Sequence, residues 1–371
     1  MTNLFRMIPP WGRWLLGIVG ILLVLGMFAM VFSFAPEQEK RNEKIGLILP
    51  YDTDDPGWGN SHYQGMKSAC ESFGVELLVR ENVGAKECPE TIQSLIDDGA
   101  NMIFLCDNRY PAAAQEIITK NPKTSFATIA IGADAPNLTV CFARMHQGRY
   151  LAGALAALRT RSNTIGYVAS MPKAPVVREI NAFALGARRV NPKARVVVAW
   201  SGAWSDPEVE TETVRRLVRE TGADVVTYHQ DDQAVPDACE AMGVDYIGFN
   251  TWFKDRSSHY LGTVVCRWDI YYRNIIQHYL KGELNAIKNR WIGVDHGAIW
   301  LADVPESVGH DTSNIIANLR RSVESRRHPI FEGPIRDAKG VLRVGDGEVL
   351  RDDTLIYRMD WFVEGVEFLG E

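Results

Sequence analysis

No CxxC pair occurs in the sequence, and none of the six cysteines (Cys70, Cys88, Cys106, Cys141, Cys239, Cys266) has a histidine neighbour at metal-ligand spacing. Zinc needs such clusters, so no metal is expected, and buried free thiols in helices and strands are favoured over disulfides. Positive charge is scarce as well. Lys and Arg number 40 against 46 Asp and Glu, a net charge of -6. That balance argues against a nucleic-acid partner, since neutralising phosphates takes a basic face. Arg320, Arg321, Arg326 and Arg327 form the local exception and read as the solvated side of a helix. HExxH, P-loop and GxSxG signatures are missing. Ser170-Met171-Pro172-Lys173 spells S-x-x-K, but Pro172 sits where a helical turn would have to hold serine and lysine together, and neither S-D-N nor K-T-G accompanies it. Asp54 and Asp55 are adjacent in a loop and point apart, which does not suit acid/base work. Neither an enzyme nor a cofactor is expected.

One long apolar run is present. Trp14 to Phe34 carries no charge, and as a helix of about 30 Å it matches the hydrocarbon core of a bilayer. Arg6 and Arg13 precede it and Glu37 and Glu39 follow, so residue 1 is expected in the cytoplasm and the main domain on the periplasmic or extracellular side of the cell (inner) membrane. Ser33-Phe34-Ala35 resembles a cleavage site, yet Pro36 follows it and the run exceeds a usual signal-peptide core, so an uncleaved anchor is expected. No cysteine precedes Cys70, so lipid attachment at a processed N-terminal cysteine is not expected.

From Lys44 onward the chain alternates strand and helix. Ile45, Leu47 and Ile48 form a short apolar run ended by Pro50, as a strand buried in a parallel sheet should. Asp52, Asp54, Asp55, Pro56 and Gly57 make a turn, and Trp58 is expected exposed at the carboxyl end of that strand, a binding platform. A strand at Glu76–Val79, a helix at Pro89–Asp98, a strand at Met102–Cys106, a helix at Tyr110–Thr119 and a strand at Thr124–Ile131 continue the pattern of a doubly wound sheet. Similar pieces recur about 120 residues later. Lys44-Ile45-Gly46 is echoed by Thr164-Ile165-Gly166, Gly65 by Gly186, and TIQSLIDDGANMI by TVRRLVRETGADVV, each of the last two ending a helix at a glycine before a buried strand.

Two similar α/β lobes follow: an anchor at 1–36, a linker at 37–43, one lobe at 44–160 with part of 255–295, and another at 161–254 with part of 296–371. Crossovers are expected near 159–163, 251–258 and 291–297. Strand ends of two such lobes make a cleft able to close on a ligand. Position at strand ends nominates Asp55, Asp107, Asn108, His229, Asp231 and Asn250 as ligand contacts beside Trp58, with Gln230 and Asp232 as neighbours that serve instead. Trp252 and Trp268 read as packing residues, Tyr110 and Arg144 as weaker cleft candidates, and His296 as part of a hinge or loop.

The ordered segments DDPGWGNSHYQG, NLTVCFARMHQGRYLAGALAAL, TIGYVASMPKAPVVREINAFALGARRVNP, WSGAWSDP, TGADVV and YIGFN resemble the BMP (basic membrane protein) family, the purine nucleoside and nucleobase receptors of ABC importers. The tail segments GPIRDAKG and MDWFVEGV are similar to a branch thought to bind free purine bases. The resemblance implies a periplasmic-binding-protein fold of type I, an ABC permease as partner, and a purine stacked between two aromatics, at Trp58 and Trp204. It also implies three departures. Gly59 stands where the family usually has asparagine, Asn250 where it has aspartate, and Cys266 where it has lysine. Loss of the last two disfavours ribose and favours a free base or another flat heterocycle. Sensing of a ligand for a membrane partner, without transport, is the alternative output.

Overall fold

The protein was analysed as a computed structural model that describes residues 43–54, 58–130, 132–250, 257–327 and 329–370. The apolar run at 14–34, Asp55 and Trp252 lie outside these residues. Among the described residues no helix is long and apolar enough to cross a membrane.

Two sheets carry the fold. The first contains β1 (Lys44–Ile48), β2 (Glu76–Arg80), β3 (Met102–Leu105), β4 (Ser125–Thr128), β5 (Leu138–Ala143) and β11 (Asn289–Ile292), all parallel, in the order β11-β5-β4-β3-β1-β2. The second contains β6 (Thr164–Ala169), β7 (Arg195–Trp200), β8 (Val225–His229), β9 (Asp245–Phe249), β10 (Tyr260–Cys266), β12 (Ile299–Ala302) and β15 (Val366–Phe368), in the order β12-β10-β9-β8-β6-β7-β15. The orders coincide from β11 to β2 and from β12 to β7, with β1 matching β6, but β12 runs antiparallel to β10 where β11 is parallel to β5, and β15 is an addition to the second sheet. The echo of Lys44-Ile45-Gly46 in Thr164-Ile165-Gly166 thus marks the same central strand in each sheet. Short strands with nearly every residue buried, such as IleTyr-rich β6 and Met102–Leu105, are what a sheet covered on both faces requires.

The helices covering the first sheet are α1 (Trp58–Phe73), α2 (Cys88–Asp97) and α3 (Tyr110–Lys120), and its crossover helix α8 (Trp268–Leu280) packs on α1. On the second sheet lie α5 (Ala174–Val190), α6 (Pro207–Thr221) and α7 (Ala234–Met242), with α4 (Met145–Arg159) packed on α5 and β10. Helix α4, assigned by the sequence reading to the first lobe, therefore belongs with the second sheet. The chain passes between sheets at Ala143–Met145, again at Cys266–Trp268, and a third time between Ile292 and Ile299. The apolar face of a helix tells that it is buried and leaves open which sheet buries it. Likewise the strands that flank 251–258, β9 and Tyr260–Cys266, are neighbours in the second sheet, so no change of sheet separates them.

The tail adds a hairpin, β13 (Ile335–Arg336) with β14 (Leu342–Val344), and a short helix, α10 (Asp352–Tyr357), against α5. It ends by adding β15 to β7. The basic stretch falls on and just after α9 (His310–Glu324), where Arg320 lies 3.8 Å over the Trp300 ring and Arg326 pairs with Asp295 at 2.5 Å. All six cysteines are free and buried.

Candidate ligand site at the strand ends

In the first lobe Trp58 opens α1 and is half buried rather than exposed. Its indole N–H donates to the carbonyl of Cys106, at the end of β3, at 3.0 Å. Its ring lies 4.1 Å from His62 and 5.7 Å from Trp268. Burial holds His62 well below the usual histidine range, so it is neutral. Gly59 has a local cause. A Cβ there would meet the Asp52 carbonyl oxygen at 2.3 Å, so the turn at Asp52–Asp54 can fold onto α1 only past a glycine. Asn60 takes over the polar role within the loop, donating from Nδ2 to the Thr53 carbonyl.

Asp107 accepts from the Arg109 backbone N–H at 2.7 Å and takes the Nε–Nη2 edge of its guanidinium at 2.9 and 2.8 Å. Its carboxylate is thus already served, and Asn108 beside it is exposed. Tyr110 does not line a cleft. It is wholly buried and donates its hydroxyl to the Val83 carbonyl at 2.6 Å. Trp268 is buried against Tyr271 at 5.0 Å, a packing role.

In the second lobe His229 ends β8, with Phe249 at 4.6 Å and Trp204 at 5.6 Å. Glu179 approaches its Nδ1 at 3.6 Å and pairs with Arg149 at 3.2 Å. Arg149 is fully buried, donates to the Tyr228 carbonyl at 2.8 Å and stacks 3.8 Å over Phe249. Burial, aided by Arg149 and Arg178 against the pull of Glu179, brings His229 down to about 4. Near neutral pH it is uncharged, able to donate from one ring nitrogen and accept at the other.

Trp204 is carried by a loop that side chains fasten from both ends. Gln230 Nε2 donates to Ser201 Oγ at 2.7 Å and to the Ala203 carbonyl at 2.9 Å, and the Asp231 N–H donates to the Trp204 carbonyl at 2.8 Å. Ser205 donates to Asp232 at 2.7 Å, and Asp206 caps α6 by accepting from the Val209 N–H at 3.2 Å. Buried Glu210 accepts from the Asp206 N–H at 2.9 Å. Desolvation, with Asp232 nearby, raises Glu210 to about 8, so it keeps its proton at neutral pH. Gln230 and Asp232 therefore hold the loop, while Asp231 is exposed beside it.

Asn250 follows β9 in the left-handed region at φ 53, a conformation asparagine tolerates, and its N–H donates to the Val264 carbonyl at 2.7 Å. Strand β10 carries the chain from Val264, beside Asn250, to Cys266, two residues before Trp268 of the first aromatic cluster. Cys266 lies on the way. Burial holds its thiol well above the usual range, so it supplies no charge in place of a lysine.

Sequence reasoning passed over Ser170. It follows β6 directly, is fully buried, and its hydroxyl has no partner, like His229 Nδ1 and Gln230 Oε1 at neighbouring strand ends. The S-x-x-K coincidence drew attention to the wrong chemistry, for helix α5 begins only at Ala174, after Lys173. Strand-end position was the signal available. Among the described residues no cluster of His, Cys, Asp or Glu is arranged to hold a metal.

The chain is similar to several known proteins. A purine-binding protein of Brucella abortus (strain 2308) is 29% identical over 328 residues, covering 87% of this chain and 93% of that protein. The transcriptional activator protein med of Bacillus subtilis (strain 168) is 25% identical over 282 residues, with coverage of 75% and 87%. Among solved structures, a transcriptional activator of the comK gene from Bacillus halodurans superimposes with a TM-score of 0.69 at 21% identity, covering 77% of this chain and 99% of that one. Residues 42–329 match the family described as ABC transporter substrate-binding protein PnrA-like, and the chain belongs to that family, Bmp.

Proposed function

We propose that this protein is an extracytoplasmic solute receptor, tethered by its N-terminal apolar run, that takes a purine base or nucleoside between its lobes and delivers it to an ABC permease. The observation that supports this most is a half-buried tryptophan at the strand ends of each lobe, each set against a buried, uncharged histidine: Trp58 with His62, Trp204 with His229. Such surroundings suit a flat, neutral heterocycle. Each stacked face contributes about 1 to 3 kcal/mol. Micromolar binding needs about -8 kcal/mol, so hydrogen bonds to the ring edge must supply the rest. On this reading His229, Ser170 and Asn250 supply them from the second lobe and Asn108 from the first, with Asp107 joining only by giving up its pairing with Arg109. With Asn250 and Cys266 in place of a charged pair, a free base is expected to bind more tightly than its nucleoside.

Titration of the full-length protein with adenine, hypoxanthine and their nucleosides, read by thermal shift and tryptophan fluorescence, tests the reading. A saturable rise in Tm with a base supports it, and no response to any purine overturns it. A second output, sensing without transport, is favoured by one observation, the likeness to the Bacillus subtilis activator. Ligand-dependent uptake into vesicles holding a neighbouring permease and ATPase would decide for import.

A further inference from the structure

A cavity of about 240 Å³ lies where the chain first leaves the first sheet. Arg144, His146 and Gln147 line one side, from the N-terminus of α4, while Phe331, Leu350 and Leu355 of the tail line the other. Helix α4 has no side-chain cap at this end. The cavity is lined by Arg144 and His146 and also by the carboxylate of Asp352, and Arg178 and Trp291 lie just behind that wall. His146 is 3% exposed and its Nδ1 has no hydrogen-bond partner, and the same holds for Arg144 Nε, Arg178 Nε and Trp291 Nε1. Three of these are obligate N–H donors, and the imidazole becomes a fourth in the tautomer that protonates Nδ1.

These groups sit together. The Arg144 and Arg178 guanidinium groups lie 4.4 and 5.2 Å from the Trp291 ring, and the His146 ring lies 5.4 Å from it. Charge is unbalanced too. Asp352 takes the two terminal nitrogens of Arg144 at 3.0 and 2.7 Å, and Asp295 takes Arg326, which also lines the cavity. Arg178 is left with a neutral acceptor, the Leu355 carbonyl at 2.9 Å, and has no ion pair among the described residues. Its burial brings it down only to about 10, so it stays charged, and both arginines help to hold His146 neutral. Buried donors without acceptors around an excess cation are costly unless an anion answers them.

We propose that this cavity is a second ligand site, taking a compact anion with an apolar body, an aromatic or short aliphatic carboxylate, against Arg144 and His146. The volume falls below the range of drug-sized pockets, which suits so small a molecule. The cavity wall is tied to the third passage between sheets, because Gln147 Oε1 accepts from the Val294 N–H at 2.8 Å. Carboxylate binding is therefore expected to change the lobe equilibrium. The site rests on neither the tryptophan pair nor a purine, so it stands or falls separately from the proposed function.

Calorimetric titration of the full-length protein with benzoate, hexanoate and inorganic phosphate tests it. Saturable binding of a carboxylate is expected, weakened about ten- to a hundredfold by His146→Leu, the range for a lost hydrogen bond to a charged group. Leu350→Trp, which fills the cavity, is expected to abolish it, with Leu350→Phe as the milder variant if the first fails to fold. In ¹⁵N-histidine spectra benzoate is expected to move the His146 imidazole resonances. Absence of carboxylate binding up to about 10 mM, binding unaltered by the cavity-filling variants, or binding of phosphate alone would each overturn the proposal.

Discussion

The two lobes share a strand order and differ in how their crossover helices meet the sheet helices. In the second lobe α4 and α5 touch backbone to backbone. A Cβ on Gly153 would lie 1.9 Å from the Phe183 carbonyl oxygen, and one on Gly186 would lie 1.9 Å from that of Tyr150. That seam also buries the Arg149–Glu179 pair. In the first lobe α1 and α8 meet largely across rings, with His62 and Trp268 3.8 Å apart, and close in at Gly65, where a Cβ would lie 2.4 Å from the Trp268 Cβ and 2.7 Å from its backbone carbon. One duplicated backbone thus has two solutions. Where glycines bring helices together, the aromatic of the site rides on a loop. Where rings fill the seam, the site aromatic is part of the seam itself.

The largest test of that contrast is electrostatic. Arg149→Met leaves Glu179 buried without its partner and is expected to cost about 3–5 kcal/mol in urea unfolding. The double variant with Glu179→Leu is expected to recover most of it, and a double variant as unstable as the single would refute a net cost of the unpaired charge. Next come the glycines. Gly186→Ala should lose roughly 3 kcal/mol or more and Gly65→Ala about 1–3 kcal/mol, since the first Cβ would overlap a carbonyl oxygen at 1.9 Å and the second would meet the Trp268 Cβ at 2.4 Å and its backbone carbon at 2.7 Å. Equal losses would erase the distinction between the seams.

The tryptophans are expected to behave unequally as well. Replacing either with alanine should weaken purine binding by about 1–3 kcal/mol. Trp58→Ala should also lower Tm, because it removes the bond to Cys106 and the contacts with His62 and Trp268, whereas Trp204→Ala should leave Tm nearly unchanged. The smallest effect concerns pH. Glu210 keeps its proton to about pH 8 in the fold against about 4.5 in the unfolded chain, so its stabilising contribution is complete below 4.5 and lost as pH rises through 8. Across that window Glu210→Gln, which has no proton to lose, should gain stability relative to the parent, most at the alkaline end. Parallel Tm profiles would show that Glu210 does not titrate in this range. Above pH 8 the parent should also bind ligand more weakly, as the carboxylate formed beside Asp232 loosens the Trp204 loop.

Much was legible before any coordinates. The glycines Gly65 and Gly186 occupy corresponding seams, and the echoing triplets mark β1 and β6, because a period of short apolar runs and glycine stops encodes strand, helix and cap locally. Less legible were the pairings. Helix α4 reads as apolar on one face, and nothing within it says that α5 rather than the first sheet covers that face. Trp58 reads as exposed because its loop is polar, yet Cys106, 48 residues away, takes its N–H. Arg144 looked like a cleft residue until Asp352, 208 residues later, took its guanidinium.

By itself the sequence determined the duplicated α/β plan, the family, the strand-end address of the candidate contacts and the place of an apolar N-terminal run. Those follow from local periodicity and from residue types tied to backbone conformation. Only the tertiary structure decided which sheet each crossover helix covers, that Gly59 yields to the Asp52 carbonyl, and that His62, His229 and Glu210 are held uncharged. Such outcomes depend on burial and on partners distant in the chain, and desolvation is a property of the packed surroundings rather than of any segment.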